Sequence, residues 1–173
     1  MRLKDSTTET DLSDIQHQIK TISLIYEKLY LSESVTDISC RDYLEDLLES
    51  IFSSFTKGGV RIDKHIDNIS LPTKTTISLG LIINEVTANA IKHGFNNTEE
   101  AVFSITMEKN NKENQYELTL SNTGSPFPED IDAENTSTLG LRLINTLVDQ
   151  LAGTIKLQRK PYPVFTIKFP VED

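Results

Sequence analysis

Leu81-Ile82-Ile83-Asn84-Glu85-Val86-Thr87-Ala88-Asn89-Ala90-Ile91-Lys92-His93-Gly94-Phe95 is the stretch on which the fold of this chain turns. At 3.6 residues per turn each position advances about 100°, so Glu85, Asn89 and Lys92 fall within an arc of roughly 60°. Leu79, Ile83, Val86 and Ala90 gather on nearly the opposite side and are expected to face a core. The predicted helix therefore has a buried stripe and a second stripe that stacks an acid, an amide and a cation. Such a trio suits phosphate chemistry.

Working upstream, Pro72 and Thr73 punctuate the chain before this helix, with Thr73 the expected cap. Val60, Ile62 and Ile66 alternate with Arg61, Asp63 and Asp67, the pattern of a half-exposed strand. Before the Gly58-Gly59 break, Tyr43, Leu44, Leu47, Leu48, Ile51, Phe52 and Phe55 recur at helical spacing, and Ser39 with Asp42 marks a helix start. Ser32 to Ser39 lacks periodicity and reads as a linker, which puts a domain boundary near residue 35 and divides the chain into residues 1–35 and 36–173. In the first part, Leu12, Ile15, Ile19, Ile22, Tyr26 and Leu29 follow a 3,4,3,4,3 spacing. That seam wants either a partner helix or the following domain to pack against.

Downstream, Ala101 to Lys109 and Gln115 to Ser121 are alternating runs joined by the polar turn Asn110-Asn111-Lys112-Glu113-Asn114, a hairpin signature. Asn122 to Thr138 holds Gly124, Pro126, Pro128 and several acids without a period, a long loop of the kind that usually carries function. Leu139 to Leu151 is again amphipathic, and strands over Thr154 to Gln158 and Val164 to Phe169 close the chain. The order is that of an α+β fold, helices layered on a mixed, mainly antiparallel sheet.

Composition narrows the function classes. With 173 residues and 37% hydrophobic content the chain has enough material for one folded domain and an appendage. A net charge of -9 argues against nucleic acid as a partner, because a duplex binder concentrates Lys and Arg on one face. No apolar run approaches the length of a membrane span, and Met1 is followed by Arg2 and Lys4, so the segment reads as soluble and cytoplasmic. The single cysteine, Cys40, has no intrachain disulfide partner and reads as a small residue near a helix start.

Leu81 to Phe95, in the form Asn84-Glu85-(x3)-Asn89-Ala90-x-Lys92-His93, resembles the N box of the histidine kinase and GHKL ATPase superfamily, and within it the HisKA_2 and HWE class of sensor histidine kinases. Leu139-Gly140-Leu141 ahead of a helix is similar to the G2 box, and Ile22 to Tyr30 to the second helix of that class's dimerisation hairpin. The resemblance implies a Bergerat-type two-layer α/β sandwich, an N-terminal helix from the dimerisation region, ATP and Mg²⁺ as cofactors, homodimerisation through that helix, and a response regulator as protein partner. It also implies roles. Asn89 would bind the metal and contact nucleotide, Glu85 would order or deprotonate a water or position the group that receives phosphoryl, and Lys92 and His93 would support the transfer. Asn122, Gly124, Leu139, Gly140 and Leu141 would contact nucleotide. Physical chemistry agrees for Asn89 and Lys92: Mg²⁺ takes oxygen ligands and draws only one or two from protein, and an ammonium offsets the charge that develops on phosphate oxygens. Unpaired N–H groups at a helix start near Gly140 suit a phosphate.

Some positions depart from the pattern. Where the adenine-reading motif has Asp-x-Gly-x-Gly, this chain has Asn122-Thr123-Gly124-Ser125-Pro126. A neutral amide accepts a weaker hydrogen bond than a carboxylate, so adenine binding is expected to be weaker by about 1 kcal/mol. Lys160-Pro161-Tyr162-Pro163 stands in place of the family's late glycine-threonine turn. The phosphoacceptor histidine of the class lies on a helix preceding the matched segment, and His17 aligns beside the second helix instead. The leading expectation is an ATP-binding catalytic domain that passes the γ-phosphoryl group to a histidine outside this chain. The alternatives are a degenerate, non-catalytic dimerisation or regulatory module and an anti-sigma-type serine kinase.

Overall fold

The computed structural model describes residues 19, 23, 37–55, 59–95, 98, 100–129, 131 and 139–171. Its elements in chain order are β1 (Asp37–Ser39), α1 (Cys40–Phe55), β2 (Arg61–Ile66), β3 (Ser70–Pro72), α2 (Thr73–Asn89) running into a π-helical turn (Ala90–Gly94), β4 (Val102–Asn110), β5 (Gln115–Asn122), α3 (Leu139–Gln150), β6 (Thr154–Gln158) and β7 (Val164–Pro170). The seam over Asp11 to Leu31, His17 and the boundary near residue 35 lie outside the described residues, except that Ile19 and Ser23 are helical, with Ser23 Oγ donating to the Ile19 carbonyl at 2.8 Å.

The main sheet has the order β2-β4-β5-β7-β6. β2 runs parallel to β4, Arg61 opposite Val102 and Ile66 opposite Met107, while the other neighbours are antiparallel. The polar turn closes the β4–β5 hairpin as its residues demand: Asn110 Oδ1 accepts the Lys112 and Glu113 N–H groups at 3.0 and 3.2 Å, and Asn114 takes a positive φ of 49°. Period-two alternation then sorts the strands. Phe103, Ile105 and Met107, Tyr116, Leu118 and Leu120, and Phe165, Ile167 and Phe169 are all buried, whereas Ser104, Thr106, Thr119, Ser121 and Thr166 between them stay half-exposed.

The buried face meets the three described helices in one contiguous core with Leu44 and Leu48 of α1, Leu79, Ile82, Ile83 and Val86 of α2, and Ile144 and Val148 of α3. This is the two-layer sandwich that the element order predicts. Truncating any of the fully enclosed aliphatics to Ala would cost on the order of 2–5 kcal/mol. No helix among the described residues is long and apolar enough to cross a membrane.

Three local expectations are corrected. Thr73 does not cap α2: it is the first helical residue after Pro72, its hydroxyl is buried without a hydrogen-bond partner, and no side chain caps this end of the helix. Residues 37–39 are not all linker, because they pair antiparallel with β3, Ile38 opposite Leu71, and Cys40 N donates to Ile69 O at 2.8 Å. Finally, α2 is buried well beyond one stripe, since Thr75, Thr76, Ser78, Asn84, Glu85 and Thr87 are also enclosed. The physical reason is its place in the layer: it contacts both α1 and α3, so two flanks are covered as well as the underside.

Candidate nucleotide-binding site

Glu85, buried to 8% exposure on α2, lies against the start of α3. A Cβ added at Gly140 would stand 2.6 Å from Glu85 Oε2, nearer than side-chain carbons approach, so with any other residue there the carboxylate would have to move aside. The carboxylate thus sits at the end of a helix whose first N–H groups and dipole favour an anion. Residues 55 positions apart in sequence form this contact, the N box and G2 box of the sequence reading.

A second contact closes the other side. A Cβ on Gly94 would stand 2.4 Å from Asn122 Nδ2, and one on Gly124 would stand 2.1 Å from the Gly94 carbonyl oxygen. Gly124 also has φ +106°, a conformation that side chains rarely adopt. Ser125 N donates to Gly94 O at 2.8 Å, and the buried Asn122 side chain donates from Nδ2 to Thr123 O at 3.0 Å. Thr123, to which the sequence reading assigned no role, ties this turn to the sheet: its N–H donates to Val102 O at 2.9 Å, its Oγ1 accepts the Val102 N–H at 2.9 Å, and the same hydroxyl donates to Glu100 O at 3.0 Å. The only available signal was a threonine beside a strand end, the setting in which hydroxyls compete for backbone partners.

Between the two contacts, α2 stops being an α-helix. After Asn89 the chain makes one π-helical turn, with Phe95 N donating to Ala90 O at 3.0 Å across five residues. The 100° advance assumed for the whole stretch therefore fails beyond Asn89, and Lys92 is turned out of the narrow arc shared by Glu85 and Asn89. Such turns are rare and concentrate at functional sites. Asn89 and Lys92 are half-buried and His93 is exposed. Burial holds the Lys92 ammonium below its usual pKa, because a desolvated cation is disfavoured. Of the G2 residues, Leu139 is 63% exposed, Gly140 faces Glu85, and the Leu141 side chain belongs to the core.

The residues present fit a magnesium-bound nucleotide better than an all-protein metal cage. Among the described residues no group of three or more His, Cys, Asp or Glu side chains converges on one point. A cation held here would draw one or two oxygens from protein, Asn89 Oδ1 first, and the rest from phosphate and water, which is the habit of Mg²⁺.

Residues 74–173 match the family described as histidine kinase-, DNA gyrase B- and HSP90-like ATPase, and residues 1–55 match a family described as histidine kinase. Over 154 residues the chain is 24% identical to blue-light-activated histidine kinase 2 of Erythrobacter litoralis, covering 87% of this chain and 44% of that protein. It is likewise 24% identical over 144 residues to the sensor histidine kinase PdtaS of Mycobacterium tuberculosis, covering 82% of this chain and 28% of the relative. The chain thus spans less than half the length of these curated relatives. Among solved structures, the histidine kinase domain of the Erythrobacter litoralis EL346 blue-light-activated kinase superposes with a TM-score of 0.81 at 23% identity, over 91% of this chain and 74% of that one. The catalytic domain of the histidine kinase ThkA gives 0.64 at 18% identity, over 79% and 97%. At these identities the superpositions establish the fold.

Proposed function

The chain belongs to the histidine kinase-, DNA gyrase B- and HSP90-like ATPase family, and from that premise we propose that it is the ATP-binding catalytic part of a two-component sensor histidine kinase, passing the γ-phosphoryl group of Mg-ATP to a histidine. One observation carries the reading: Glu85 and Gly140 meet so closely that a Cβ at 140 would displace the carboxylate, at the point where a helix start and a buried acid face each other. Magnesium, when bound, would neutralise phosphate charge. The chain's own residues do the rest. Asn89 Oδ1 would hold the cation, the N–H groups at the start of α3 would receive phosphate oxygens, and Lys92 would balance charge in the transition state. Glu85 would accept or orient the proton of the attacking group. His93, exposed one residue on, would stand nearest the incoming partner, and Asn122 with Gly124 would line the base end of the site. Because phosphoryl transfer needs positioning and electrostatics rather than a covalent nucleophile, this set is chemically sufficient.

The same reading includes a homodimer through the N-terminal helix, a response regulator downstream and a cytoplasmic setting. The neutral amide of Asn122, standing where the family pattern has an aspartate, favours a second reading in which the domain is a non-catalytic regulatory module. Isothermal titration separates the two. Wild-type protein is expected to bind ADP with Mg²⁺, and Asn89→Ala is expected to lose the magnesium-dependent part of that affinity, about tenfold or more for removal of one metal ligand. Magnesium-dependent affinity that survives in Asn89→Ala sinks the assignment, and absence of heat with the wild type at millimolar nucleotide favours the regulatory module.

A further inference from the structure

Beyond Gly124 and Ser125 the chain leaves the site as Pro126, Phe127, Pro128 and Glu129, and it is caught there by a residue that belongs to none of the motifs. Arg159 follows β6 directly. Its Nη2 donates to the Ile131 carbonyl at 2.8 Å and its Nη1 to the Pro128 carbonyl. The guanidinium carbon stands 5.4 Å from the centre of the Phe127 ring, over its face. In return Phe127 N donates to the Arg159 carbonyl at 3.0 Å, and the Phe127 ring meets Phe165 of β7 edge-on with centroids 6.0 Å apart. The neighbouring Lys160 pairs with Glu129, but both side chains are exposed, 65% and 71%, and such pairs hold little.

A planar fork can serve two carbonyls three residues apart while stacking on an aromatic ring; an ammonium cannot do all three at once. Ser125 is already bonded to Gly94 and Phe127 to the Arg159 backbone. The guanidinium extends that anchorage from residue 127 to residue 131. It therefore fixes where Phe127, Pro128 and Ile131 lie beside Gly124 and Ser125. We propose that Arg159 is a positioning residue for nucleotide binding: it holds Phe127, Pro128 and Ile131 to the β6–β7 hairpin, so that the wall formed by Asn122, Gly124 and Ser125 is pre-organised before ligand arrives. The proposal rests on the nucleotide reading above. A wall ordered in advance loses less freedom on binding, which is how a residue with no ligand contact changes affinity.

The test compares wild type, Arg159→Lys and Arg159→Ala by Mg-ADP titration, by hydrogen exchange over residues 125–131, and by thermal midpoint. Arg159→Ala is expected to lose about tenfold in affinity and Arg159→Lys about threefold, in line with lost pre-organisation. Exchange should quicken at 125–131 and stay unchanged in β4. If Arg159→Ala fails to fold, Arg159→Lys and Phe127→Leu decide by the same two measurements. Faster exchange with unchanged affinity makes the tie purely structural and overturns the proposal. Wild type that binds no nucleotide overturns the proposal and the underlying reading together, whereas wild type and variants that bind alike overturn the proposal alone.

Discussion

On the sheet side of the candidate site it is backbone that closes the contact, Gly124 pressed on the carbonyl of Gly94, whereas on the helix side a side chain, the Glu85 carboxylate, meets Gly140. A carbonyl oxygen in a bonded turn cannot step aside, because it also accepts the Ser125 N–H and the turn is tied to β4 through Thr123. The end of a glutamate can rotate away. The difference teaches that one wall is set by the fold and the other by a side chain, so substitutions of apparently equivalent glycines should behave differently.

The largest effect is expected at Gly124. Alanine there would meet both the φ of +106° and an oxygen 2.1 Å away, for a combined loss of about 3 kcal/mol or more in chemical denaturation. A loss under about 1 kcal/mol would show that the sheet-side wall yields, and the contrast would disappear.

Gly140→Ala should cost less, about 1 kcal/mol, because what must move is the end of one buried side chain. The sharper form of this prediction is a sign change. In a Glu85→Ala background the obstruction is gone, and Gly140→Ala should then stabilise by a few tenths of a kcal/mol through helix propensity. A double-mutant cycle by thermal or urea unfolding measures it, and strictly additive values would break the proposed link between the two residues.

The smallest effect concerns pH. Since burial holds the Lys92 pKa below that of an ordinary lysine, its ammonium is lost at a lower pH than usual, and affinity for Mg-ADP should fall as pH rises through that lowered value. Bound phosphate restores the charged form, so binding should take up a proton on the alkaline side. Titrations in buffers of different ionisation enthalpy detect the uptake, and Lys92→Met should remove it. Uptake that persists in the variant would place the titrating group elsewhere.

Much of this arrangement was legible along the chain. The apolar positions Leu79, Ile83, Val86 and Ala90 are all in the core, Gly124 stands where only glycine fits, and Gly140 lies against Glu85. Ser39 prepares the start of α1 as its position suggests, with Asp42 N reaching its Oγ at 3.4 Å. What escaped were features that local pattern does not encode. The π-turn over Ala90–Gly94 leaves no period in so few residues, and it shifts Lys92 away from the stack that α-helical geometry predicts. Thr73 looks like a cap but is displaced by Pro72, because the preceding residues are held in a strand with β1. Thr123 and Arg159 carry no pattern of their own in the sequence, and their hydrogen bonds to residues 21 to 31 positions away appear only after folding.

Periodicity and residue chemistry alone determined that a helix bearing Glu85 and Asn89 packs on a mainly antiparallel sheet, because burial of an apolar stripe and alternation along strands are consequences of local geometry. Only the tertiary structure decided that Glu85 is enclosed rather than exposed, that Gly94 and Gly124 touch, and that Arg159 reaches the loop leaving the site. Those are contacts between segments distant in sequence, where excluded volume and hydrogen-bond satisfaction act across the whole fold.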